Sequence, residues 1–97
     1  MYNQIENVEQ QVCDFFALPI EEVFSKSTKR NLTLARHFVI YILHKHYKVS
    51  LSKLANRYKC SKRNIEITCA NIGFFVEYDK KYQNYYKCLM QYINKGV

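Results

Sequence analysis

The chain's 97 residues fit one modest hydrophobic core and leave no room for a separate catalytic domain. Apolar residues make up 48% and aromatics 15%, which excludes a disordered tail, and two glycines with one proline exclude a β chain of many turns. The net charge of +7 is unevenly placed: residues 1–24 hold five acids and no Lys or Arg, whereas Ser25 to Arg63 hold eleven Lys or Arg and no acid. A solvated face ordinarily mixes signs, so positive charge gathered in mid-chain points to a polyanion-binding surface.

In chain order, the first predicted helix runs from about Gln4 to Phe16, with Ile5, Val8, Val12, Phe15 and Phe16 at helical spacing. Leu18-Pro19 ends it, and Pro19 opens a short helical turn through Ile20, Val23 and Phe24. Ser25 to Arg30 reads as a basic loop. A long helix follows from about Asn31 to Lys45, with Leu32, Ala35, Val39, Ile42 and Leu43 inward. Ser50 is the expected N-cap of a helix from Leu51 to Tyr58 whose inner residues are Leu51, Leu54, Ala55 and Tyr58. Lys59-Cys60 turns the chain, and Ser61 caps a helix to about Val76 with the stripe Ile65, Cys69, Ile72, Phe75 and Val76. Asp79 then caps a last helix carrying Tyr82, Tyr86, Leu89 and Ile93 inward. The expectation is a single all-α domain over residues 1–97, a compact bundle of about six helices.

Within it, residues 50–76 have the layout of a helix-turn-helix: a helix of two turns, a short turn and a longer second helix. The second helix opens with Ser61, Lys62, Arg63 and Asn64, four residues able to donate to phosphates or base edges. Recognition helices place their N-terminal residues in the major groove. Arg63 or Lys62 on guanine and Asn64 on adenine are the pairings that geometry favours. Arg36, Lys53 and Arg57 are assigned to phosphates, which set register without reading sequence.

Other chemistry has little support. His37, His44 and His46 have no acid in their basic stretch to orient them, and His44 and His46 diverge on a helix. Cys60 and Cys69 are too widely spaced for a structural zinc pair. No metal, cofactor or enzyme activity is expected, and the four cysteines read as free thiols. Met1 to Gln4 shows no basic segment leading into an apolar run, so no signal peptide is expected. No stretch approaches the roughly 20 apolar residues of a membrane span. The expected location is the cytoplasm. The principal rival to DNA binding is a protein-interaction module built on Tyr82, Tyr85, Tyr86 and Tyr92 of the last helix, preceded by Phe74, Phe75 and Tyr78, with Tyr85 and Tyr92 off the inner stripe as a dimer or partner surface. RNA binding ranks below DNA, because glycines and aromatics interleaved with charge are lacking.

Two segments carry a family resemblance. SKSTKRNLTLARHFVIYILHK, Ser25 to Lys45, and SLSKLANRY, Ser50 to Tyr58, are similar to the C-terminal DNA-binding domain of the bacterial replication initiator DnaA. The first resembles that family's basic loop followed by a hydrophobic helix, and Arg30 and Arg36 fall on two of its arginines. The resemblance implies a six-helix bundle of the DnaA C-terminal or Trp-repressor-like type, binding double-stranded DNA in replication or transcription control. It also implies a minor-groove role for Arg30, with Lys26 and Lys29 beside it, and leaves room for a homodimer or a replication partner. The chain departs from the family where Ser61 to Asn64 replace an aspartate-histidine-threonine signature, after a turn about one residue shorter. The bases read by the family therefore do not carry over. There is also no G-x-x-x-x-G-K-[ST] motif, so these residues are not expected to bind ATP.

Overall fold

The computed structural model describes residues 4–21 and 30–95; within these, side chains are described except those of Arg30, Asn31 and Lys95. The described residues form five α-helices: α1 (Gln4–Phe15), α2 (Arg30–Lys45), α3 (Leu51–Tyr58), α4 (Lys62–Tyr78) and α5 (Lys80–Lys95). The all-α expectation holds, with five α-helices described where about six were expected. The short segment after Pro19 has only residues 20 and 21, in a 3₁₀ turn, within the described region.

α1 buries Ile5, Val8, Glu9, Val12 and Cys13 on one stripe. It stops because Ala17 takes a left-handed conformation, φ 56°, and the Leu18 N–H returns to the Cys13 carbonyl at 2.9 Å. That pattern satisfies a terminal carbonyl of the helix before Pro19 prevents its continuation.

α2 is the central post. Leu32, Ala35 and every residue from Phe38 to Leu43 are buried, so it is covered on nearly all sides, as a helix in the middle of a bundle must be. It packs against α1 and α4, while α5 packs against α1 and α4, and α3 against α4. Phe38 meets Tyr82 and Tyr85 of α5 with ring centroids 5.9 and 6.1 Å apart, and Tyr41 meets Tyr86 at 5.6 Å. At Gly73 α4 lies against α2: a Cβ there would stand 3.4 Å from Cε1 of Tyr41, an ordinary van der Waals distance. At the far end of α2, His44 donates from Nδ1 to the Val49 carbonyl at 2.8 Å, which holds the connection to α3 against the helix end.

The capping residues read from the sequence act as caps. Ser50 Oγ accepts from the Lys53 N–H at 3.2 Å, and Ser61 Oγ from the Asn64 N–H at 3.1 Å. Asp79 is a one-residue corner: its N–H closes α4 on the Phe75 carbonyl at 2.8 Å, and its Oδ1 accepts from the Lys81 N–H at 2.9 Å to open α5. Along α5, Leu89 and Ile93 are fully buried, each contributing about 1.5–3 kcal/mol of apolar burial. Tyr82, Tyr85 and Tyr86 are half-buried against the core. One inner-stripe expectation fails: Phe75 is 38% exposed, because its ring lies along the surface stacked on Tyr82, centroids 4.8 Å apart.

Candidate nucleic-acid interface

α3 and α4 pack against each other across the three residues Lys59 to Ser61. Lys59 makes this turn in the left-handed region, φ 56°, and the Cys60 N–H bonds back to the Ala55 carbonyl at 3.0 Å. A lysine tolerates that conformation at a cost of about 1–2 kcal/mol. The turn is therefore held by its hydrogen bonds and by Ser61 capping the next helix.

The first two turns of α4 divide by face. Ile65 is buried at 1% exposure against the core. Ser61, Lys62, Arg63, Asn64, Glu66 and Ile67 are exposed. The first turn of a helix presents unpaired N–H groups and the positive end of its dipole, and here Lys62 and Arg63 add to that field. Across from it runs a groove of about 580 Å³ between α2 and α4. Arg36 and His37 line one wall, Lys59 the turn, and Asn64, Ile67 and Asn71 the other wall. The fold thus brings two sequence-assigned residues, Arg36 and Asn64, to one groove from positions 28 apart in the chain. His37 is held below its ordinary pKa, chiefly by burial and secondarily by the Arg36 charge. At neutral pH it is therefore an uncharged member of the wall.

Lys53 is exposed on α3. Lys26 and Lys29 lie outside the described residues, as does the side chain of Arg30, whose backbone opens α2.

Arg57 requires a correction. Its assignment to phosphate took it as an outward cation, but its Nε donates to Glu9 Oε2 at 2.7 Å and its Nη2 to Glu9 Oε1 at 2.5 Å. Glu9 is 2% exposed and also accepts from the Tyr58 hydroxyl at 2.6 Å. A buried carboxylate holding three donors fixes α3 on α1, and the arginine fork is occupied by that task. Its hydrogen bond to Glu9 pushes the Arg57 guanidinium's pKa still higher, and burial followed by the Glu9 charge pushes the Tyr58 hydroxyl upward. Both groups stay protonated throughout the working pH range, so all three donors persist.

Three groove residues escaped the sequence reading: Lys59, Ile67 and Asn71. Ile67 and Asn71 follow Arg63 by four and eight residues, a helical-face spacing that could have located them. Ile67 is apolar, yet it is 46% exposed. Tyr85 and Tyr92, the expected partner surface, behave differently from each other. Tyr85 packs against Phe16 and Phe38, whereas Tyr92 is 39% exposed with its ring edge near Phe15.

An all-helical bundle carrying a two-turn helix, a three-residue turn and a second helix that opens with exposed cations is a helix-turn-helix protein. Residues 5–68 match the family model of the bacterial DnaA protein helix-turn-helix, and the chain belongs to that family. It is 32% identical over 63 residues to the chromosomal replication initiator protein DnaA of Pseudothermotoga lettingae, a match covering 65% of this chain and 14% of that protein. Membership supports DNA binding through the helix-turn-helix. Among the described residues no helix is long and apolar enough to cross a membrane.

Proposed function

We propose that this chain is a single DNA-binding domain that grips duplex DNA with the first two turns of α4 in the major groove. The observation that carries this reading is the exposure of Ser61, Lys62, Arg63 and Asn64 at the start of the second helix of a family-matched helix-turn-helix. Arg63 or Lys62 on guanine and Asn64 on adenine would each discriminate by about 1–3 kcal/mol. Ile67, one turn past Arg63, is placed to meet the thymine 5-methyl, the apolar feature of the major groove. Arg36, Lys53 and Lys59 contact phosphates. Lys26 and Lys29 precede α2 in sequence and Arg30 opens it; their proposed role at the minor groove rests on family resemblance. The domain acts by binding, without catalysis or ATP hydrolysis within these 97 residues, at the bacterial nucleoid, in control of replication or transcription.

The test is fluorescence anisotropy on random-sequence duplex DNA across a salt series. If about six cations meet phosphates, log K falls with log salt at a slope near −5. Arg63→Ala should weaken binding while leaving the thermal melt unchanged. Failure of the wild type to bind duplex at low salt would end this reading.

A further inference from the structure

Past residue 68, where the family match ends, the outer face of α4 changes character. Phe74 is 59% exposed and Tyr78 68%, with ring centroids 4.9 Å apart, and Phe75 joins them at 5.9 Å from Phe74. Three surface rings joined through Phe74 form a patch, not scattered apolar residues. Tyr78 lies fifteen residues beyond Arg63, roughly 22 Å along the helix axis. With the first turns of α4 in a groove, the rings stand clear of the duplex. The charges around them, Glu77 and Asp79 against Lys80 and Lys81, sum to zero, so the rings do not extend the cationic DNA-binding face.

We infer that this patch pairs with the same patch of a second copy when two copies sit side by side on DNA. Two observations select that occupant. The rim carries both signs, Glu77 at the end of α4 and Asp79 at the corner beside the exposed Lys80 and Lys81 that open α5. Such a rim is self-complementary about a two-fold axis, where the acids of one copy face the lysines of the other. The patch is also small. At roughly 200 Å² per ring, its exposed fractions amount to about 330 Å², well short of the roughly 800 Å² per partner of a stable complex. It cannot hold two free copies together, but it suffices where DNA already holds them at about millimolar effective concentration. The inference rests on the duplex-binding reading.

The experiment compares a 12-bp random-sequence duplex, about 40 Å long, with a 48-bp duplex. The protein measures 35 × 29 × 27 Å, so the short duplex takes one copy along its length and the long one several. Wild type is expected to bind the long duplex with cooperativity of at least about tenfold between neighbours, while sedimenting as a monomer without DNA at micromolar concentration. The Phe74→Ser/Tyr78→Ser variant removes two exposed rings and no core contact. It should retain its melt and its 12-bp affinity but bind the 48-bp duplex without cooperativity. Glu77→Lys should lower cooperativity while leaving 12-bp binding intact. Non-cooperative wild-type binding, or undiminished cooperativity in the Ser/Ser variant, overturns the pairing while leaving duplex binding standing. A stable dimer without DNA overturns the DNA-dependent form. Absence of 12-bp binding removes the duplex reading and this inference with it.

Discussion

Arg57 and Arg63 are six residues apart in the same motif, yet the end of α3 and the start of α4 use the same side chain in opposite ways. Arg57 is bound by both nitrogens of its fork to the buried Glu9, whereas Arg63 is exposed on the outer face of α4. The difference is made by α1, which brings a carboxylate from 48 residues away against the end of α3. No counterpart faces the first turn of α4 among the described ion pairs. A run of positive charge thus contains two populations, one that builds the motif and one that the motif displays. Counting charges along the chain merges them.

The largest effect should come from the building arginine. Arg57→Ala leaves a buried carboxylate with the Tyr58 hydroxyl and should destabilise the fold by about 3–5 kcal/mol. For a chain of this size that is a drop of more than about 10 °C in melting temperature, read by circular dichroism. Removing both charges together, as in Glu9→Leu/Arg57→Leu, should recover much of the loss, because a packed apolar pair avoids the desolvation cost. If Arg57→Ala melts like wild type and instead weakens duplex binding, the two arginines belong to one population and the comparison collapses.

Arg63→Ala should do the reverse. Stability stays within about 0.5 kcal/mol, as for exposed positions away from special features, and duplex affinity falls about tenfold, within the 1–3 kcal/mol expected of a base contact. Ile67→Ala should have a smaller effect of a few-fold, confined to thymine-containing sites. In a duplex selected by the wild type from a randomised pool, replacing one thymine by uracil should weaken the wild type and leave Ile67→Ala indifferent. Equal sensitivity of both proteins at every thymine would remove Ile67 from base recognition.

The same contrast explains what the sequence made legible. Caps and stripes are local: Ser50, Ser61 and Asp79 act within three residues of themselves, and Ile5, Val8 and Val12 or Leu89 and Ile93 repeat at helical spacing. All were readable. The Glu9–Arg57–Tyr58 cluster was not, because nothing near Glu9 distinguishes it from the other acids of α1; its burial is decided by where α3 lands. Phe75 failed for a related reason. Its position in the stripe is right, but its ring stacks on Tyr82 at the edge of an open groove between α2, α4 and α5 instead of entering the core. The face of α4 followed from the polar run after Ser61, and Ile67 and Asn71 share its helical spacing, whereas their meeting with Lys59 in one groove depends on α2 forming the opposite wall.

His37 gives the smallest effect and tests whether that wall belongs with the motif's interior or with its display. Its folded-state pKa lies below the unfolded value of 6.5, from burial first and the Arg36 charge second. The unfolded chain therefore takes up the proton at higher pH than the folded one. The stability that neutral His37 contributes is complete above pH 6.5 and is lost as pH falls through the folded value. Thermal melts from pH 7.5 to 5.5 should show a decline that His37→Gln flattens, and a decline unchanged in that variant would assign it to another group. Bound DNA should act in the opposite direction, since a phosphate beside Arg36 favours the protonated imidazole. As pH falls toward 5.5 the salt slope of the wild type should steepen relative to that of His37→Gln, by up to about 0.9 for one more phosphate neutralised. If the two slopes match while the melts differ, His37 packs the α2 wall without reaching DNA, and Arg36 loses its nearest support as a phosphate ligand.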